Sequence, residues 1–148
     1  MQVRTGGPRA IVLGLPQPIT KNRWKDDLVD DAVSLGWDVT HLPAGEVSCE
    51  QVVDACKGSD LLIWARTHRH NPAGDIPGML RRIEDAGTVT VAVHLDLYWG
   101  IPRREVTIGK TPWWSCQLVL TADGGHEAGF AERGVTHYWC PPSAVRTS

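Results

Sequence analysis

Six short apolar runs, separated by polar stretches with helical spacing, extend through most of this 148-residue sequence. Strand–helix alternation of this kind is typical of a parallel sheet covered by helices. We therefore predict an α/β fold: a single Rossmann-like three-layer domain with a mostly parallel six-stranded sheet. The domain is expected to span residues 9–142, after a flexible N-terminus at 1–8 and before a tail or truncated linker at 143–148. The runs are Ala10–Leu13, Trp37–Leu42, Asp60–Ala65, Thr88–Val93, Gln117–Leu120 and Val135–Cys140.

The order of the strands decides where a ligand would bind. Right-handed crossovers favour the order 3-2-1-4-5-6 for this class of sheet. Ligands bind outside the carboxyl ends of such strands, where the order reverses, which is here between strands one and four. We expect the segments after strands one, four and five to share one crevice. Ionisable residues follow the strands at Thr20–Arg23, Arg66–His70, His94–Asp96 and Asp123–Glu127.

The composition is that of an ordinary globular domain. Hydrophobic residues make up 42% of the chain, charged residues 22%, and the formal net charge is −2. This charge gives no electrostatic footprint for nucleic acid or an anionic membrane. No apolar run approaches the roughly 20 residues that span a bilayer, and Met1–Arg9 lacks a signal-peptide core, so a cytoplasmic location is expected. The four cysteines form no CxxC pair, and we expect buried, idle thiols.

His94 and Asp96 leave the fourth predicted strand at the expected crevice. Residues two apart on an extended segment point the same way, so an imidazole and a carboxylate would face one bound hydroxyl group. Such a pair removes a proton from an acceptor, with the aspartate holding the charge of the histidine. We therefore predict His94 and Asp96 as catalytic residues. The structural alternative is a histidine bonded to backbone and an aspartate that caps the next turn.

A turn with two glycines follows the fifth predicted strand. Gly124 and Gly125, between Asp123 and His126, would let a ligand approach backbone N–H groups at the start of a helix. We predict these four residues as ligand-binding. In the structural alternative, Asp123 is the N-cap of that helix and the glycines only form a tight turn. The pattern is not GxGxxG, so it predicts no dinucleotide site.

Polar residues after the first and third runs complete the set of ligand-binding candidates. The loop Leu15–Ile19 contains two prolines and offers few free N–H groups, which disfavours a Walker A cradle or an NAD site. The basic side chains on these segments would still meet an anion. The candidates here are Asn22, Arg23, Arg66 and His68.

His68 and His70 also have the spacing of a metal-binding pair, which His94 and Asp96 would complete. In the expected strand order, however, two other strands lie between the third and the fourth. We therefore predict no metal site. The segment after the third strand is expected to be a polar loop or to contact an anion.

Seven tryptophans stand against one phenylalanine in the chain. Trp99, Trp113 and Trp114 flank the long segment between the fourth and fifth strands, where they would either stack on a sugar or base or pack in the core. The others occupy core-like positions within predicted elements. These are Trp24, Trp37, Trp64 and Trp139.

The second half of the chain resembles the amino-terminal lobe of GT-B glycosyltransferases, of the family 1/4-like group. In those enzymes one strand ends in a His-Asp turn, the next ends in a small-residue turn before a helix, and a short last strand enters a proline-containing linker. The segments that carry the resemblance are Val91–Asp96, Leu118–Gly125, Phe130, Gly134–Val135 and Tyr138–Pro142.

The resemblance implies an acceptor-side lobe. His94 and Asp96 would lie on the acceptor side of the cleft, and Asp123–His126 would line the same wall. No cofactor is firmly implied, and the donor would be a nucleotide-sugar. Because a second lobe normally holds that donor, sugar transfer is expected only with a second GT-B lobe or a homodimer. The alternatives are a non-catalytic nucleotide or nucleotide-sugar binding module and a small nucleotide-derivative hydrolase.

The expected partner is therefore a small molecule: a sugar, a glycoside or a nucleotide-sugar. Neither a membrane nor nucleic acid is expected. A flavodoxin-like response module is disfavoured because Leu15–Ile19 carries no acidic residue, and an esterase is disfavoured because the chain has no GxSxG elbow.

Overall fold

The computed structural model describes residues 7–14, 33–65, 71–94 and 96–139. The expected N-terminal segment and C-terminal tail therefore lie almost entirely outside the described residues. The strands are β1 (Arg9–Gly14), β2 (Asp38–Pro43), β3 (Leu61–Ala65), β4 (Val89–Val93), β5 (Leu118–Thr121) and β6 (His137–Trp139). The helices are α1 (Cys49–Cys56), α2 (Ile76–Asp85), α3 (Pro102–Glu105) and α4 (Glu127–Glu132), with 3-10 turns at Ala44–Glu46 and Pro112–Ser115.

These six strands form one sheet in which every neighbouring pair is parallel. The predicted fold class, a single α/β Rossmann-like domain with a six-stranded parallel sheet, is confirmed. The order is β2-β1-β3-β4-β5-β6, so the predicted order 3-2-1-4-5-6 is wrong. Right-handed crossovers permit both orders. β3 is buried on both faces, and such a strand belongs in the interior of the sheet rather than at its edge. The strand order therefore reverses between β1 and β3, not between the first and fourth strands.

Alternate residues of the strands supply two separate apolar clusters, one on each face of the sheet. Leu13, Leu62 and Trp64 pack with residues of α1, α2 and α4 in the larger cluster. Val12 and Ile63, which point the other way, belong to the smaller cluster. This alternation follows from the two-residue repeat of a strand and explains why Ala10–Leu13 of β1 and all of β3 are apolar. Among the described residues, no helix is long and apolar enough to cross a membrane.

Side-chain bonds fix where the strands and helices begin. Ser48 caps α1 in a capping box with Gln51, as the sequence pattern indicates. At the start of β5, the N–H of Gln117 donates to the Thr90 hydroxyl at 2.9 Å, and the Thr90 N–H donates to the Gln117 side-chain oxygen at 3.3 Å. This reciprocal pair aligns β5 with β4, so the residues that follow both strands reach the same edge of the sheet.

The three described cysteines are buried and carry free thiols, as expected. Burial raises the pKa of Cys56 to about 12 and that of Cys116 to about 12, and burial also raises the pKa of Cys49. A thiol with a raised pKa is protonated at neutral pH and is a poor nucleophile. These cysteines therefore serve packing. Cys140 lies outside the described residues.

Candidate functional site

Two turns meet at the carboxyl ends of β4 and β5, and together they form the rim site considered below. One carries His94 and Asp96, and the other runs from Thr121 to His126. The N–H of Ala122 donates to the Asp96 carbonyl oxygen at 3.2 Å, which ties the first turn to the second. The structure thus brings both predicted catalytic residues and the two-glycine turn to one edge of the sheet.

The His94 imidazole is held from both sides. Its Nε2 lies 2.8 Å from Oδ2 of Asp96, and its Nδ1 is hydrogen-bonded to the Tyr98 hydroxyl. Because a carboxylate can only accept, Nε2 carries the proton and donates to Asp96, while Nδ1 accepts from Tyr98. The arrangement fixes both the tautomer and the orientation of the ring.

The side chains of His94 and Asp96 differ in their exposure to solvent, which indicates different roles. The His94 side chain is 9% exposed, whereas the Asp96 side chain is 41% exposed. A group that takes a proton from a ligand must be within hydrogen-bonding reach of it. In this geometry the carboxylate is the accessible group and the imidazole orients it, which reverses the division of roles expected from the sequence.

An aromatic layer beneath the rim explains why His94 is buried. Trp113 meets the His94 ring edge-on at 5.6 Å, and Trp114 meets the Tyr98 ring at 4.9 Å. The two indoles stack on each other at 4.1 Å and are almost fully buried. Trp113 and Trp114 therefore pack in the core, and the alternative of ligand stacking is wrong for both.

Asp123 is a structural acceptor and does not face a ligand. It is only 3% exposed, and its carboxylate accepts from the N–H groups of Tyr98 and Trp99 at 3.1 Å and from the Thr121 hydroxyl at 2.8 Å. Its burial and these bonds favour a structural role for Asp123 over the predicted ligand contact. It is not the helix N-cap either, because α4 begins at Glu127 with His126 at the cap position and no capping bond.

Gly124, Gly125 and His126 are exposed at the rim, as a ligand-binding role requires. Gly125 has a φ of +80°, a conformation that side chains other than glycine rarely adopt. His126 stacks on Trp99, with ring centroids 5.2 Å apart. The helix that follows has only six residues, so we assign no anion site to its N-terminus.

Trp99 lies across α4 at Gly129. A β-carbon on Gly129 would come within 2.7 Å of the indole ring, so the absence of a side chain there lets the ring approach the helix. Phe130 meets Trp99 edge-on at 5.6 Å, and the Arg133 guanidinium lies 4.5 Å from the ring centre. These contacts hold the segment that follows β4 against α4.

Trp139 is the functional candidate that the sequence analysis missed. Its place within a predicted strand favours a core position, yet the residue is 55% exposed at the carboxyl end of β6. Its position next to Gly124 adds an aromatic ring to the rim. The signal in the sequence is its place as the last residue of a short strand before Cys-Pro-Pro, where strand membership no longer implies burial.

His137 closes a buried chain of hydrogen bonds behind the rim. The Thr121 hydroxyl donates to Asp123, so it accepts from Nε2 of His137 at 2.7 Å. Nδ1 of His137 has no partner among the described residues. Burial lowers the pKa of His137, and His126 adds to this effect, while the carboxylates of Glu127 and Asp123 oppose it.

The lowered pKa of His137 predicts a loss of stability in mild acid. Below its usual pKa of about 6.5, the unfolded chain takes up a proton that the folded chain does not, so the free energy of unfolding falls until the pH reaches the lower folded-state pKa. This group contributes a loss of at most about 1.4 kcal/mol per pH unit. Urea unfolding at pH 7.5 and 5.5 should show a smaller loss in His137→Gln, whose amide can still donate to Thr121. An equal loss in both proteins would contradict this assignment.

Four predicted ligand-binding residues lie outside the described residues: Asn22, Arg23, Arg66 and His68. His68 and His70, which have the spacing of a metal-binding pair, also lie outside the described residues. Within the ranges that the structure describes, no group of three or more His, Cys, Asp or Glu side chains could hold a metal ion.

No protein-family model matches this chain, and a search of curated proteins finds no significant match.

Proposed function

We propose that this chain is the acceptor-side lobe of a GT-B-type glycosyltransferase, which binds a sugar or glycoside at the rim site. The observation that supports this proposal best is the accessible Asp96 carboxylate, which the buried His94 orients, on a turn whose backbone is bonded to the segment that carries two exposed glycines. A parallel α/β domain with its polar residues at the carboxyl ends of the strands fits such a lobe.

The chemistry assigned to Asp96 is general-base catalysis. Its carboxylate accepts the proton of an acceptor hydroxyl while that oxygen bonds to the anomeric carbon of the donor sugar, and the nucleoside diphosphate departs with the electron pair of the broken anomeric C–O bond. His94 donates to the carboxylate throughout and keeps it in place. General-base catalysis of this kind contributes typically 10²- to 10⁴-fold in rate.

The donor, a nucleotide-sugar, is assigned to a second lobe or a second copy of the chain, as in the GT-B enzymes that this sequence resembles. Such a partner excludes water and stabilises the leaving diphosphate. The chain by itself is therefore expected to bind an acceptor without turnover. Of the two aspartates of the rim site, Asp96 is accessible and Asp123 is buried, so the proposal assigns the base to Asp96.

A ligand panel with an Asp96 variant tests the proposal. Thermal unfolding is followed with methyl glycosides, free nucleotides and nucleotide-sugars, and a ligand that binds the folded state raises the midpoint. We expect stabilisation by a glycoside without its consumption. Asp96→Asn should weaken that binding roughly tenfold, because it replaces a charge-assisted hydrogen bond with a neutral one. Asp54→Asn changes an exposed carboxylate on α1 and serves as the matched control.

Each other result points to a different function. Stabilisation by a nucleotide with no response to glycosides would indicate a nucleotide-binding module. Consumption of a nucleotide derivative that is lost in Asp96→Asn would indicate a hydrolase. Glycoside binding that Asp96→Asn leaves unchanged would overturn the assignment of Asp96.

A further inference from the structure

Trp139 turns one face of its indole towards Gly124 of the rim turn, and more than half of the residue is exposed. A β-carbon placed on Gly124 would lie 3.4 Å from each of Cδ2, Cε2 and Nε1 of the indole. A point equally far from three atoms of a ring lies on the axis perpendicular to that ring. The five-membered ring therefore lies flat over Gly124, and only a β-carbon added there would come within ordinary van der Waals distance of it.

The exposure of Trp139 is unusual within the described part of the chain. Trp64, Trp113 and Trp114 are buried there, and Trp37 and Trp99 are partly buried, whereas 55% of Trp139 is exposed. An exposed indole brings a large apolar face into water, and a stacking partner removes that cost. The fold itself does not require an exposed indole at this position, because Trp139 is the last residue of its strand.

Polar groups lie close to this ring. Gly125 and His126 follow Gly124 and are exposed. The carbonyl oxygen of Asp96 accepts a hydrogen bond from the N–H of Ala122. Gly124 follows Ala122 by two residues, so their Cα atoms are at most about 7.6 Å apart. An aromatic face beside an exposed polar turn matches a pyranose, which has an apolar C–H face and a polar edge of hydroxyl groups.

We infer that Trp139 is the stacking platform for the sugar ring of the ligand. The C–H face of a pyranose packs on the outward face of the indole, and its hydroxyls reach towards Asp96 and His126. This inference rests on the proposed function, because it assumes that the rim site binds a sugar. It adds a specificity-determining residue that lies on β6 rather than on the two turns.

Tyr138 provides a matched control in the same strand. It is 56% exposed, nearly the same as Trp139, but neighbouring residues of a strand point to opposite faces of the sheet. Trp139 shares its side of β6 with His137, which packs on Phe130 of α4, so Tyr138 points away from the rim turn over which Trp139 lies. Replacement of either residue removes a similar exposed aromatic surface.

Saturation-transfer NMR with methyl α- and β-glucoside, galactoside and mannoside tests the inference. For the glycoside that binds best, we expect Trp139→Ala to weaken binding at least fivefold and Tyr138→Ala to leave it within twofold. Trp139→Phe, which retains an aromatic face, should bind better than Trp139→Leu, which is apolar without one. This second pair tests the stacking even if the alanine variant folds poorly.

The outcomes separate this inference from the proposed function. If Asp96→Asn weakens glycoside binding and Trp139→Ala does not, the stacking role of Trp139 is wrong and the proposed acceptor-lobe function is unaffected. Failure of every glycoside to bind the unmodified chain would overturn both. If sedimentation shows a dimer that Trp139→Ala dissociates without any effect on glycoside binding, the ring is an interface between copies and the inference is wrong.

Discussion

Replacing Asp123 with alanine is expected to lower the free energy of unfolding by roughly 3–5 kcal/mol. The carboxylate accepts from two backbone N–H groups, those of Tyr98 and Trp99, and from the buried Thr121 hydroxyl. A buried donor left without its partner costs about 1–3 kcal/mol, and three donors lose theirs together. Urea unfolding followed by circular dichroism measures the loss.

Two further variants make this result specific. Asp54→Ala removes an exposed carboxylate and should change stability by less than about 0.5 kcal/mol. Asp123→Asn should fall between the two, since its amide oxygen can accept from the backbone but its NH₂ group faces the donating hydroxyl of Thr121. Hydrogen exchange at the amides of Tyr98 and Trp99 should accelerate in Asp123→Ala. A loss below about 1 kcal/mol would contradict the role of Asp123 as the anchor of the segment after β4.

Phe130→Ala is expected to cost roughly 3–5 kcal/mol, the usual range for removal of a buried aromatic ring. The ring is fully buried, stacks on His137 at 3.9 Å and contacts Trp99 and Trp114 at 5.6 and 5.9 Å. It joins α4 to β6 and to the aromatic layer beneath the rim. Chemical unfolding measures the change, and Phe130→Leu should lose less because it leaves a smaller void.

The loss of Phe130 should also alter the pH response. Without the ring, water can reach His137, so the pKa of that imidazole rises towards its usual value and the acid-dependent loss of stability shrinks. Val106→Ala, which trims an exposed apolar side chain, should leave both stability and pH response almost unchanged. A pH response in Phe130→Ala equal to that of the unmodified chain would show that the stacked ring does not control the burial of His137.

The elements of this fold could be predicted from the sequence because their signals are local. Apolar runs indicate the strands, and Ser48 with Gln51 indicates the start of α1. The strand order could not be derived from handedness, which is satisfied equally by two arrangements. The decisive signal was the composition of β3, apolar on both faces and therefore interior, in contrast with the partly exposed β2 at the edge.

The meeting of the two rim turns could also be predicted, but the roles of their residues could not, and the switch point lies between β1 and β3 rather than at β4. His94, Asp96 and the two-glycine turn follow neighbouring strands, and parallel topology brings them to one edge. The partner of Asp123 is the backbone at Tyr98 and Trp99, in a segment without any periodic pattern that would predict its path. The exposure of Trp139 likewise depends on where its strand ends relative to α4, which no local pattern specifies.

The all-parallel sheet also affects how the chain acquires its structure. Parallel neighbours cannot be joined by a tight hairpin, so each pairing closes a long loop. Ala10 pairs with Leu61, whereas Val119 pairs with His137, and the entropic penalty of closure grows with the length of the loop. Association of β5 with β6 therefore carries the smaller kinetic barrier, and the half of the chain that holds the rim site can assemble before the amino-terminal strand docks.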